Sequence, residues 1–315
     1  MPLEQVWCAS AALKRKRQAT SLPLDRCLAH AQTRDASVDC NYTYEVLGAM
    51  FGAQQDRGNN ISTTALLTPC VRQTVLERSV SYTNSLDKLW PAFLGTIAHR
   101  VLEGSMAPDA YGEERFWAPW GDDYVSCSPD LVVPSKGLLY DYKGKFKKGW
   151  REVGVFNRPE PEHALQLQLN RWIIDHAVGV GPEDKLPGKT TLTATGKTKT
   201  YVANPAWADP TDLKPKEWSE LVIVYISEDR PVLMPVQKQP GGKGTRYVPD
   251  IWSDKEVEDF VAPRYDALQR GLVNYPHEVP AIPPEFGYWE PPHGFPCSWC
   301  SVVSECKRLK IEEGR

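Results

Sequence analysis

Apolar residues recur along this chain at two periods, and the change from one to the other marks out its elements. Leu66, Leu67, Val71 and Leu76 follow Ser62-Thr63-Thr64 at helical spacing, with the hydroxyl residues placed as a cap. Leu89, Phe93, Leu94, Ile97, Val101 and Leu102 repeat at three- and four-residue intervals, which predicts a helix over about 85–103. Pro91 falls in its early part, so the regular helix is expected to begin nearer residue 90. Strands are predicted at 115–120, at 124–133 with a break around Ser128-Pro129, and at 137–143. A helix over 160–177 carries Leu165, Leu169, Trp172 and Ile173 as its apolar stripe. Two more strands, 221–226 and 231–236, flank a polar turn, and a last helix runs over 254–272.

The remaining segments set the domain limits. Residues 1–60 hold two short helical stretches, 26–34 and 42–54, and then a turn-rich break at 56–60. They read as an N-terminal extension, with the main domain over 61–308 and a tail at 309–315. Residues 181–217, rich in Gly, Pro, Thr and Lys, read as an inserted loop or a polar hairpin. Seven prolines between 276 and 296 make a stiff extended arm. No apolar run approaches the ~18 residues that cross a bilayer, and no signal-peptide core follows the basic cluster at 14–17. The sequence reads as soluble and intracellular, with no membrane partner. Its 37 Lys and Arg against 40 Asp and Glu exclude a uniformly basic nucleic-acid coat, but not one basic groove.

Eight cysteines are too few for a secreted disulfide scaffold of this length. Cys297, Cys300 and Cys306 are spaced C-x2-C-x5-C, close enough to share one metal centre. Tetrahedral or cubane ligation needs a fourth thiolate, and Cys70, at the head of a helical pattern, is the best candidate. Buried thiols are the alternative for the trio, and the expected state of Cys8, Cys27, Cys40 and Cys127.

The polar residues at strand ends carry the chemistry. Asp141 and Lys143 stand two apart on a strand, so they project from one face. Such a pair is either a salt bridge or the carboxylate and ammonium of metal-assisted phosphodiester hydrolysis. Ser128-Pro129-Asp130 supplies a second carboxylate one strand earlier, and two neighbouring carboxylates repel unless a cation lies between them. The run from Lys143 through Lys145, Lys147 and Lys148 to Arg151 is either a solvated loop or a phosphate contact. Trp150 and Phe156 beside it suit base stacking or packing.

Taken in order, Gly95-x3-His99-x3-Glu103, Ser128-Pro-Asp130, Asp141-Tyr142-Lys143 and Gln166-x3-Asn170 resemble the RecB-type branch of the PD-(D/E)XK nucleases. Cys70 with the C-terminal trio is similar to the iron–sulfur members of that branch, the CRISPR-adaptation and AddB-type nucleases and their phage relatives. The resemblance covers about 61–308. It implies an α/β, restriction-endonuclease-like αβββαβ core with N- and C-terminal helical parts joined by a four-cysteine cluster. His99, Asp130 and Asp141 would hold Mn2+ or Mg2+, with the Tyr142 carbonyl as a further oxygen, and Lys143 would orient water. Glu103 would reach water at the metal or stand as a surface glutamate. Gln166 would support DNA, although Asn170 stands where the family has tyrosine; a shift of two residues puts Gln168 and Trp172 in those places. The cluster would be [4Fe–4S], with zinc as the alternative, and would staple the two ends of the domain.

The implied activity is that of a DNA exonuclease, single-strand preferring and 5′→3′, in recombination, end processing or CRISPR-type adaptation. Its partners would be DNA and the proteins of those processes, in a bacterial cytoplasm or encoded by a phage. A structure-specific endonuclease, an idle DNA-binding module and a redox or zinc protein are the rivals.

Overall fold

The computed structural model describes residues 3–7, 21–33, 44–52, 61–68, 70–103, 106–145, 159–181, 190–192, 198–200, 208–227, 231–237, 250–278, 302, 305 and 308. They form a mixed α/β protein. In chain order the first elements are β1 (Leu3–Trp7), β2 (Ser21–Pro23), α1 (Leu24–Thr33), α2 (Tyr44–Gly52), β3 (Ile61–Ser62), α3 (Thr63–Leu67), α4 (Val71–Ser79), β4 (Tyr82–Ser85) and α5 (Leu86–Glu103). There follow β5 (Phe116–Trp120), β6 (Asp123–Cys127), β7 (Leu131–Val133), β8 (Leu138–Lys145), α6 (Pro161–His176), β9 (Gly179–Val180), β10 (Thr190–Leu192), β11 (Thr198–Thr200), β12 (Glu220–Ser227), β13 (Pro231–Pro235) and α7 (Asp254–Asn274). No helix among the described residues is long and apolar enough to cross a membrane.

Backbone packing divides the chain into two compact units. One comprises Met1–Asn59, Thr68–Ala98 and Pro263–Arg315; the other comprises Asn60–Leu67 and His99–Ala262. The divisions fall at 59/60, next to the 60/61 boundary expected from the sequence, at 67/68, and within α5 and α7.

In the first unit β1 lies between β2, antiparallel to it, and β4, parallel to it. Cys27 and Ala31 of α1 and Leu47 and Met50 of α2 form a core with Leu86 and Leu89. That core explains why α5 begins at Leu86, a turn earlier than its proline suggested. Pro91 removes one intrahelical hydrogen bond, while Leu86 and Leu89, 1% and 2% exposed, hold the first turn by burial. The single pattern expected over 63–76 becomes two helices, α3 and α4. Cys70 between them is extended (φ −111°, ψ 97°), and its carbonyl accepts the Gln73 N–H at 2.9 Å. Pro69 in the sequence disfavours helix at the residue before it, Thr68, where α3 has ended. Leu76 of α4 packs against Val302, and the Tyr275 hydroxyl donates to Glu305 at 2.6 Å.

The second unit is built on two four-stranded sheets, ordered β13-β12-β8-β7 and β3-β6-β5-β9, with a separate β10-β11 hairpin inside the inserted segment. β8 and β12 are parallel, so the chain must cross over between them, and α6 is that crossover. β12 is central in its sheet and buried from Leu221 to Tyr225, which accounts for its unbroken apolar sequence. Helix α6 packs on β5 and β6 of one sheet and on β8 and β12 of the other. Contact with both sheets buries it continuously from Leu167 to Ile174, a wider face than the single stripe read from the sequence.

Candidate metal centre

Strand β8 sets one face of the site. Alternation puts Leu139, Asp141 and Lys143 on a common side. Leu139 is fully buried and Asp141 is 1% exposed. The Lys143 ammonium lies 3.0 Å from Asp141 Oδ1 and 2.8 Å from Oδ2, and donates at 3.0 Å to Gln166 Oε1. Oδ2 has this ion-pair contact but accepts no hydrogen bond among the described residues.

Gln166 reaches Lys143 because the start of α6 is fixed to β12. The Glu160 N–H donates to the Tyr225 hydroxyl at 2.9 Å, and that hydroxyl hydrogen-bonds with His163 Nδ1 at 3.0 Å. Tyr225 in turn is paired in register with Lys143. Glu160, Glu162 and His163 group closely enough to ligate an ion, but the Tyr225 contact already engages one ring nitrogen, and the trio anchors a helix end.

The alternative register for the glutamine has a different fate. Gln168 is buried and bridges backbone, donating to the Asp250 carbonyl and accepting the Trp252 N–H at 3.0 Å. Asn170, in the tyrosine position, is also buried and accepts the Thr63 hydroxyl at 2.8 Å. Trp172 stacks on His176, with ring centroids 4.3 Å apart. Gln166 alone of these side chains touches Lys143 among the described contacts.

Asp130 enters from the end of the β6–β7 connection. Its Oδ2 accepts the Tyr142 N–H at 2.6 Å, and its Oδ1 lies 3.5 Å from His99 Nδ1. His99 comes from the last turn of α5. The same Nδ1 is 3.0 Å from Glu113 Oε1, and the ring also hydrogen-bonds with the Tyr142 backbone. His99, Asp130, Asp141, Tyr142, Lys143 and Gln166, spread over 68 positions from 99 to 166, therefore meet in one unit.

Glu113 has no counterpart in the sequence reading, where attention fell on Glu103. Its backbone N–H donates to the Pro129 carbonyl at 2.8 Å, beside the bridge between Tyr111 and Val132. Gly112 makes that approach possible, since a Cβ there would collide with the Asp130 carbonyl oxygen. The sequence signal was Gly112 next to a pair of acids just before the first core strand.

Cys297, Cys300, Cys306, Lys147, Lys148, Arg151, Trp150 and Phe156 lie outside the described residues, as do the side chains of Lys145 and Glu103. Cys70 is described: it is buried, at the N-cap of α4. Cys27 and Cys127, also buried, are not in disulfides.

No protein-family model matches the chain, and no curated protein matches it. A solved structure titled "Crystal structure of SSO0001" is 14% identical, covers 83% of this chain and 93% of its own, and superposes with a TM-score of 0.43.

The electrostatics of the site are those of crowded acids. Burial, and then the Asp141 charge, push Asp130 up to about 7 from the ordinary 3.8. Burial likewise raises Asp141, against the pull of Lys143. The hydrogen bond to Glu113 is the main cause of a raised His99. Both Asp130 and His99 thus hold protons in the folded state that an unfolded chain would release at lower pH. For such groups the stability contribution is complete below the unfolded pKa and is lost as pH rises through the folded one. A divalent cation at this place must displace those protons. Mn2+ binding is therefore expected to release protons at pH 6, and to tighten between pH 6 and 8. Calorimetry in buffers of different ionisation heat measures both; an affinity flat over that range would show that these groups do not receive the ion.

The donor set suits such an ion. With bonds of about 2.1 Å, neighbouring ligands of an octahedral cation stand about 3.0 Å apart. The two separations from His99 Nδ1, 3.0 and 3.5 Å, are close to that spacing. One nitrogen among oxygens favours Mn2+ alongside Mg2+.

Proposed function

We propose that the chain is a metal-dependent DNA exonuclease of the RecB-type PD-(D/E)XK branch, with the αβββαβ core of restriction endonucleases and a cysteine-ligated cluster. One observation carries this reading. Asp141 is buried against the Lys143 ammonium, with Asp130 hydrogen-bonded to the backbone of the residue between them. A salt bridge with only a structural role has no need of a second buried carboxylate that raises its neighbour's energy. The order α5, β5, β6, β7–β8, α6, β12 supports the core assignment.

His99, Asp130, Asp141 and the Tyr142 carbonyl would hold Mn2+ or Mg2+, as one or two ions. When bound, the ion supplies charge neutralisation at the scissile phosphate and a more acidic water. The protein's own part follows from the contacts. Asp141 positions the Lys143 ammonium at the end of β8, and the Gln166 carbonyl restrains it from the other side. An ammonium so held orients an attacking water and faces the charge that develops on the phosphate. Lys145, Lys147, Lys148 and Arg151, next along the chain, would track the phosphate backbone, with salt-dependent affinity. Single-strand preference, 5′→3′ polarity and a place among recombination, end-processing or CRISPR-adaptation proteins rest on the sequence resemblance.

The cluster assignment has its own support. Val302 lies between Cys300 and Cys306 in sequence and packs on Leu76 of the helix that Cys70 caps. That contact supports one [4Fe–4S] or zinc centre made by the trio with Cys70.

The test is a nuclease assay on end-labelled single- and double-stranded DNA with Mn2+ or Mg2+, using anaerobically purified protein whose visible spectrum is recorded. Brown protein with metal-dependent degradation is expected, and the product ladder gives polarity. Brown protein that cleaves no substrate would replace the enzyme with an idle DNA-binding module; colourless, active protein would replace iron–sulfur with zinc.

A further inference from the structure

Glu113 belongs to none of the motifs that define the proposed site, yet its carboxylate lies within hydrogen-bond reach of His99 there. Glu113 Oε1 is 3.0 Å from His99 Nδ1, and that nitrogen is 3.5 Å from Asp130 Oδ1. One donor atom from each of the three lies within 4.8 Å of the others. The local backbone is built to bring this about. Glu113 pairs with Pro129, the residue before Asp130, and Gly112 leaves the space that a side chain would fill. Glu113 itself sits at φ 60°, in the left-handed region where glycine is favoured and a longer side chain is strained. Strain of this kind persists where the side chain has a task that offsets it.

Charge makes the assignment more specific. Asp141 already has Lys143 at 2.8 Å, so that pair is neutral overall. Asp130 beside a neutral His99 leaves one negative charge for a divalent ion. Glu113 supplies the second. Its side chain is about one-third exposed (35%), so it also meets the ion from the open side, where a phosphate would enter.

We propose that Glu113 is a further direct ligand, beside His99 and Asp130, of a divalent-cation position that prefers Mn2+. This rests on the metal-nuclease reading and adds to it a residue that the motifs do not supply.

The competing role is an outer one, in which Glu113 accepts a hydrogen bond from His99 and only orients the ring. Loss of an outer partner also weakens a metal, by roughly 10- to 100-fold, so affinity alone does not decide. The number of waters on the ion does. The experiment uses the full chain with Mn2+ as the probe. Wild type, Glu113→Gln and Glu113→Gly are titrated by the electron paramagnetic resonance of free Mn2+, and bound waters are counted from 17O-water coupling. Glutamine keeps a hydrogen-bond acceptor without the charge. Glycine removes the side chain and relieves the φ of 60°, so this variant should melt no lower than wild type.

Both variants are expected to bind Mn2+ about tenfold or more weakly, with one additional water, and cleavage by Glu113→Gln should recover as Mn2+ is raised. An unchanged water count overturns the ligand role. So does a Glu113→Gly protein that melts lower yet binds Mn2+ as wild type does. Wild type that binds no Mn2+ would bring down the metal-nuclease reading itself, an outcome distinct from tight binding that ignores position 113.

Discussion

Asp141→Asn is expected to reduce metal-dependent cleavage by about 10²-fold or more, the scale on which a group facing developing charge is missed, while leaving the metal-free protein as stable as before or more so. The two effects have separate causes. Activity falls because an amide is a poor ligand and no longer fixes the Lys143 ammonium by charge. Stability holds because burial raises the Asp141 pKa even with Lys143 beside it, so ionising this carboxyl costs more in the folded chain than in the unfolded one. Asparagine keeps an oxygen for Lys143, and the ammonium keeps its bond to Gln166. Breaking a buried pair commonly costs about 3–5 kcal/mol because a charge is stranded; here the survivor is partly exposed and still hydrogen-bonded. Thermal melts without metal, together with single-turnover cleavage, separate the outcomes. Lost stability with retained cleavage would make Asp141 the structural half of an ion pair.

The second large effect is expected at Cys300. Replacing it with alanine should bleach the protein and lower its soluble yield, whereas Asp141→Asn leaves the colour intact. A metal centre of this kind contributes on the order of 10 kcal/mol, and a whole domain is stable by only about 5–15 kcal/mol. Among the described residues, the segment is otherwise held by Val302 on Leu76 and by Glu305, which accepts from Tyr275 and Arg308. Visible absorption and iron and zinc content of matched preparations decide the matter. A Cys300→Ala protein with wild-type colour and yield would remove the residue from the cluster.

The parts of the site that strands and helices carry were legible in the sequence. Period two put Asp141 and Lys143 on one face, and they touch. The family resemblance put Gln166 with them and left Gln168, two residues on, as the alternative register. Packing separates the two: Gln168 faces the backbone at 250 and 252, Gln166 the ammonium. Glu113 was not legible from periodicity. Its place depends on a backbone pairing with Pro129 and on the bare Cα of Gly112, and neither leaves a periodic trace. The early start of α5 was hidden for a related reason. Pro91 is a local signal, while Leu86 and Leu89 are held by Leu47 and Met50, some 40 residues away in sequence. The β2-β1-β4 sheet was missed as well, since strands of three to five residues offer too few alternations to read.

The bond from the Tyr142 N–H to Asp130 has a consequence for how this site tolerates change over generations. The amide belongs to the main chain, so every residue except proline provides it. Position 142 can drift through most of the amino-acid alphabet while the orientation of Asp130 is inherited unaltered. Comparing sequences column by column would rank 142 as dispensable, and would overlook the atom there that holds the carboxylate in place.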